Sequence, residues 1–179
     1  MTDSIPFALV PQAAACVDGV CTFPTPPATR TEHPLMDTIT PTPHERFEIL
    51  DLVHRYSTGI DTRDWALFAS TFTDDAHVDF GFAQWEGASS FTAFMRETHD
   101  PAGRTLHRMT NTVVTGIDPL TARTYSDAIV LQPDNVHGTI ANAWYDDEIV
   151  RTPDGLRIRR RVVHMISMRA IGPNLVAEM

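Results

Sequence analysis

From Leu106 onward the sequence stays extended almost to its end, and that run limits the chain to few folds. Four long segments, Leu106–Ile117, Ala122–Gln132, Val136–Arg151 and Leu156–Met168, mix apolar and polar residues with the period of two expected of strands that bury one face. They are broken at Asp118-Pro119, Pro133-Asp134-Asn135 and Pro153-Asp154-Gly155, compositions that favour tight turns. Long strands joined this closely predict an antiparallel meander.

Upstream the period changes. Thr42, Pro43 and Glu45 form an N-cap, a first-turn proline and a capping-box acid. After Phe47, the residues Ile49, Val53, Tyr56 and Ile60 recur at helical spacing. Gly59 is expected to weaken this helix just before Asp61. A short second helix follows, capped by Asp64 with Trp65, Phe68, Ala69 and Phe72 inward, then a turn at Asp74-Asp75. Ala76–Gly81 reads as a short strand, and Gly87 to about His99 as a third helix capped by Ser89 or Ser90. Helices first and strands afterwards predict an α+β domain.

Residues 1–41 contain seven of the 13 prolines, and no helical or strand periodicity stands out there. They are expected to be a Pro-rich extension, poorly ordered or draped over another subunit. The folded domain is then 42–172, with 173–179 a tail. The two cysteines, Cys16 and Cys21, fall in the extension. Two thiols make neither a disulfide framework nor a metal set, so they read as a minor pair in a reducing cytoplasm.

Charge narrows the partners. The net charge is −9, and all 14 basic residues are arginine. That balance argues against nucleic acid or an anionic membrane as partner. The exception, Arg157 with Arg159, Arg160 and Arg161, reads as solvated or interface arginines split between two strand faces. No apolar run approaches the roughly 20 residues needed to span a bilayer. Pro6 and Pro11 break the apolar N-terminal patch, which lacks a basic flank and does not read as a signal peptide.

The chemistry-bearing candidates lie on the strands and at the end of the first helix. An extended chain puts His107, Met109, Asn111 and Val113 on one face. Histidine transfers protons near neutral pH, and a carboxylate on one ring nitrogen sets its tautomer. Asp61 is the candidate carboxylate. Periodicity alone does not separate His107 from a satisfied core histidine, since the chain has eight histidines. Asp127 and Asn142 suit either pocket polar groups or solvent-facing pairs; Trp144 suits either a pocket wall or the core and rim. Asp146, Asp147 and Glu148 are consecutive, so on a strand they cannot all converge on one metal ion. No metal-ligand spacing, phosphate-binding glycine loop or nucleophile elbow occurs, and neither metal nor cofactor is expected.

Taken in order, Arg55-Tyr56, Gly59 to Trp65, Phe72 to Ala76, Thr105-Leu106-His107 with Asn111, and Asp154 to Ile158 resemble a SnoaL-like domain of the nuclear transport factor 2 superfamily. The resemblance covers residues 44–170, about 70% of the chain. It implies helices closing a curved sheet into a cone around an apolar pocket, with dimers or trimers common. The most similar pattern is the Asp–His dyad branch, as in scytalone dehydratase and lindane dehydrochlorinase. Asp61 and His107 fall on the dyad, and Tyr56 on a tyrosine or lysine facing the pocket. The two tyrosines that hold a water in scytalone dehydratase are matched by Ile60 and Phe80, and its second histidine by Gln132, so scytalone itself is not the expected substrate. The ketosteroid isomerase base has no clean counterpart: Phe80 stands near its place and Asp79 one position away.

The expectation is a cofactor-free acid–base enzyme acting on a small hydrophobic, hydroxylated or carbonyl-bearing molecule. His107, Asp61 and Tyr56 are its catalytic candidates; Asn111, Asn142, Phe80, Asp127 and Trp144 would line the pocket. Dehydration is the leading reaction, with isomerisation or polyketide-type cyclisation as runner-up. A non-catalytic carrier or a structural subunit of an oxygenase is the alternative of another class.

Overall fold

The computed structural model describes residues 41–172 together with Ala15–Val17 and Val20–Thr22. The chain separates into two compact units, Met1–Thr38 and Ile39–Met179. In the first, Ala15–Val17 (β1) pairs antiparallel with Val20–Thr22 (β2), with Cys16 opposite Cys21. This corrects the expectation of a stretch without strands. The signal was the Asp18-Gly19 dipeptide between two short apolar runs, a two-residue hairpin composition. The rest of the proposed extension and the tail 173–179 lie outside the described residues.

In the second unit α1 runs Pro43–Thr62. Its start is the predicted capping box: Glu45 N–H donates to Thr42 Oγ1, and Thr42 N–H to the Glu45 carboxylate. The helix buries Ile49, Leu52, Val53, Tyr56 and Ile60, whereas Phe47 is 71% exposed. Gly59 does not end it. A Cβ there would sit 2.7 Å from the Phe68 backbone nitrogen, so the missing side chain lets α2, Trp65–Ala69, pack close.

Strand β3, Phe72–Asp79, takes in Asp74 and Asp75, which were expected to form a turn. They lie where the pairing register shifts between Phe72 and His77, and a bulge carries the same polar composition as a turn. A short strand β4, Gln84–Glu86, was not anticipated. Helix α3, Ala88–His99, has Gly87 at its N-cap with φ 86° and no side-chain cap. The serines do not fill that role; Ser90 Oγ donates to the Glu86 carbonyl.

Four long strands complete the unit: β5 Thr105–Ile117, β6 Leu120–Leu131, β7 Gly138–Thr152 and β8 Gly155–Ile171. The six-stranded sheet has the order β4-β3-β8-β7-β6-β5. The meander β5 to β8 is antiparallel as expected, while β3 joins β8 in parallel. The α+β architecture predicted from helices first and strands after is the one formed. No helix among the described residues is long and apolar enough to cross a membrane.

One face of the sheet meets the helices. It carries Ala122, Thr124, Ser126 and Ala128 from β6 and Ala143, Tyr145, Asp147 and Ile149 from β7, all buried. On β8 the alternation slips: Leu156 and Ile158 point inward, Arg159 and Arg160 are both exposed, and Arg161 and Val163 are buried. The cause is a register shift opposite Glu148 and Ile149, which adds one residue and reverses the parity. Arg161 is therefore not a solvated arginine but 0% exposed. It makes a bidentate pair with Asp147, both nitrogen–oxygen distances being 2.7 Å. Its guanidinium carbon lies 4.2 Å from the Tyr56 ring centre and 4.4 Å from that of Tyr145. Burial works against the charge, but Asp147 outweighs it and holds the guanidinium more firmly protonated than usual. The neighbouring acids diverge as expected: Asp146 pairs with Arg123 and Glu148 with Arg159.

Two stability effects follow. Gly59→Ala should cost about 1–3 kcal/mol, because α2 must move to admit the methyl group. Asp147→Ala should cost about 3–5 kcal/mol by stranding a buried guanidinium, while Asp147→Leu with Arg161→Met recovers much of that loss. Urea denaturation of the variants measures all three.

Candidate active site

Asp61 stands in the last turn of α1, and His107 on the inward face of β5. Three hydrogen bonds lock the carboxylate to the strand. His107 Nδ1 lies 2.7 Å from Asp61 Oδ1, the His107 backbone N–H donates to Oδ2 at 2.8 Å, and Thr105 Oγ1 donates to Oδ1 at 3.0 Å. The ring bond places the His107 proton on Nδ1, as an ionised carboxylate only accepts. Nε2 is then left as the basic nitrogen, and no hydrogen bond to the described residues occupies it. The His107 side chain is 6% exposed and that of Asp61 21%. Burial alone would raise the Asp61 pKa; the His107 ring, the His107 amide and Thr105 together override it, and the carboxyl stays below its usual range.

Arg63 anchors the arrangement. It caps α1 in the left-handed conformation with φ 60°, and its guanidinium reaches four groups. Nε donates to the His99 carbonyl, Nη1 to the Ile60 carbonyl and Thr105 Oγ1, and Nη2 to the Gly103 carbonyl. The end of α1, the end of α3 and the start of β5 are thus tied to one side chain. Arg63 and Thr105 had no assigned role in the sequence reading, although Thr105 shares the face of His107 by the period of two.

His99, also unassigned, ends α3 with its ring 5.7 Å from that of His107. Burial first, and then the charge His107 carries when protonated, push its pKa down to about 4 from an ordinary 6.5. It is neutral at physiological pH.

The other candidates are not brought to this pair. Tyr56 is in the core, with its ring against Phe68, Phe72, Tyr145 and Arg161. Burial raises its hydroxyl pKa well above the ordinary value. Phe80 packs on Trp85 and Phe91 at the β3–β4 end. Asn111 takes φ 50° at a register shift between Thr110 and Val113. That bulge ends the alternation, so Asn111 and Val113 are exposed while Thr112 and Val114 turn inward. Asp127, Asn142 and Trp144 occupy the outer face: Asn142 Nδ2 donates to Asp127 at 2.7 Å, and Trp144 stacks on His164 at 4.9 Å.

Two surface cavities among the described residues bear on the site. A groove of about 910 Å³ lies between α2, β3, α3 and the β7–β8 turn, touching Phe72, Asp74, Arg96 and Arg157. A smaller one of about 200 Å³ lies between α1 and β5. Neither is lined by Asp61 or His107, and the larger has no base–carboxylate pair. Asp61 and His107 are thus a candidate by their pairing and not by a cavity. Among the described residues no cluster of three or more His, Cys, Asp or Glu side chains could hold a metal ion.

A curved, mostly antiparallel six-stranded sheet entered through N-terminal helices defines the cone of the nuclear transport factor 2-like folds. Residues 42–162 match the SnoaL-like domain, and the chain belongs to that family. An uncharacterized protein of Mycobacterium tuberculosis is 28% identical over 131 residues, 66% of this chain and 83% of its own. Among solved structures, a Novosphingobium aromaticivorans protein named as an aromatic ring hydroxylase superposes with a TM-score of 0.67 at 25% identity, covering 73% of this chain and 96% of that one. A second protein from the same organism, named as a scytalone dehydratase, superposes with a TM-score of 0.65 at 18% identity, covering 73% and 93%.

The buried titratable groups set a pH dependence. His99 is held neutral, so the unfolded chain takes up a proton at 6.5 and the folded chain only near 4. This contribution is complete above the unfolded value and disappears as pH falls through the window, a loss of roughly 3 kcal/mol. Asp61, with a depressed pKa, acts in the same direction at lower pH. Thermal melts from pH 7.5 to 4 should show a falling Tm, with a shallower fall in His99→Phe.

Proposed function

We propose that the protein is a cofactor-independent acid–base enzyme in which His107 takes a proton from carbon and Asp61 orients and stabilises the imidazolium formed. The observation that carries this reading is the doubly anchored carboxylate: Asp61 accepts from both the ring and the backbone amide of one histidine. A histidine with its Nδ1 proton fixed presents Nε2 in one orientation, as a general base requires. The chain from Arg63 through Thr105 to Asp61 fixes the carboxylate in turn.

The reaction proposed is dehydration of a small hydroxylated carbonyl compound: the proton next to the carbonyl passes to His107 Nε2, and the β-hydroxyl then leaves as water by taking a proton back from the imidazolium. Isomerisation or cyclisation would use the same proton abstraction. The name of the scytalone dehydratase-like neighbour agrees with this chemistry. In this reading Tyr56 belongs to the Arg161 cluster rather than to proton transfer. We extend the proposal to a dimer or trimer built on the outer sheet face, where Leu106, Val113 and Tyr125 are exposed. A second reading, the structural subunit of an oxygenase, draws on that same face and on the neighbour named as a ring hydroxylase.

Incubation in D₂O with a panel of β-hydroxy ketones tests the first reading. Deuterium should enter at the carbon next to the carbonyl, and His107→Ala should slow uptake roughly 10²–10⁴-fold. Asp61→Asn should reduce the rate while leaving the melting curve above pH 7 cooperative. Uptake by His107→Ala at the wild-type rate would sink the proposal.

A further inference from the structure

His99 has a buried nitrogen that no described residue hydrogen-bonds. Its Nδ1 lies 3.0 Å from the Met95 carbonyl oxygen, which can only accept, so the ring proton is on Nδ1. Thr98 Oγ1, 2.9 Å from the same nitrogen, directs its own hydrogen to the Phe94 or Met95 carbonyl. A neutral ring protonated at Nδ1 presents Nε2 as a bare acceptor. That atom is buried and has no hydrogen-bond partner among the described residues, in a residue only 8% exposed.

The nearby donors are directed elsewhere. The Trp65 indole N–H donates to Asp100 at 2.9 Å, and the Trp65 ring meets His99 edge-on at 6.5 Å. Arg63 has four of its five N–H donors on three carbonyls and Thr105. The His107 ring proton goes to Asp61. Nδ1 is tied back to α3, and the His107 ring centre lies 5.7 Å from that of His99. A buried acceptor left unpaired is a cost that folding normally avoids.

We propose that His99 Nε2 receives the hydroxyl hydrogen of a neutral ligand bound beside His107, which makes His99 the residue that selects hydroxylated compounds. An acceptor calls for a donor on the ligand. The ligand is neutral because four of the five N–H donors of Arg63, the cation at this site, are held within the fold and Asp61 is already paired, which leaves no bidentate grip for a carboxylate or phosphate. The inference rests on the reading of the dyad as a ligand site, but it is read by binding rather than by turnover.

The probes are phenol and anisole, which differ by the hydroxyl hydrogen; anisole is the more apolar and would win on burial alone. With the full chain labelled with ¹⁵N-histidine, phenol should shift the His99 Nε2 resonance and bind about tenfold more tightly than anisole, the worth of one hydrogen bond. His99→Phe should bring the two within about twofold, whereas His99→Gln, which keeps an acceptor, should preserve the preference. Equal binding, no binding of either compound, or an unmoved Nε2 resonance would each overturn the assignment, and the wild-type titration alone decides it if His99→Phe does not fold. A phenol preference without His107-dependent deuterium uptake sinks only the acid–base reading; uptake without the preference sinks only the role of His99.

Discussion

The position of the chemistry depends on one guanidinium. Arg63 sits just past the end of α1 in a left-handed conformation that few non-glycine residues adopt without compensation. The compensation is its hydrogen bonding. Carbonyls at the ends of α1 and α3 and in the approach to β5 all point at it. Helix C-termini leave carbonyls without partners, and here one cation serves two of them. The Thr105 hydroxyl, turned by the same guanidinium, then donates to Asp61. A fold-level requirement and a site-level one are met by a single side chain.

A second constraint lies deeper in the cone. The Arg161–Asp147 pair brings charge into a mainly aromatic and aliphatic core, and Tyr56, Phe72 and Tyr145 enclose it. Their rings offer electron-rich faces to the cation, while the carboxylate takes the bidentate contact. The two polar centres divide α1 between them. Tyr56 points at the ion pair, and Asp61, five residues later, at the histidine.

Much of this was legible in the residue order. The capping box at Thr42, the helical stripe through Ile49 and Ile60, the long strands and the α+β class all follow from local rules that tertiary contacts did not override. Asp61 and His107 were paired by resemblance, and the two are in contact. Three of the failures share a cause. Asn111, Arg161 and the Asp74-Asp75 segment all lie at or beside register shifts, where one extra residue reverses the period of two. Alternation assigns faces only until the first bulge, and this sheet has several. Asp127, Asn142 and Trp144 were harder still, because a strand with polar and aromatic residues on both faces does not say which one the helices will cover. Arg63 and His99 escaped notice for another reason: their roles depend on backbone carbonyls, which the residue alphabet does not encode.

The Arg161–Asp147 pair also constrains how such a chain can diverge. Losing either partner strands the other in a dry interior, whereas losing both leaves a volume that apolar residues can fill. Descendants that shed the pair must cross a poorly folded intermediate or change both positions together. The two sites, 14 residues apart and directly opposed on neighbouring strands, should therefore be inherited as a unit. A charge on one without its complement on the other would mark a lineage whose core has been rebuilt around a different solution.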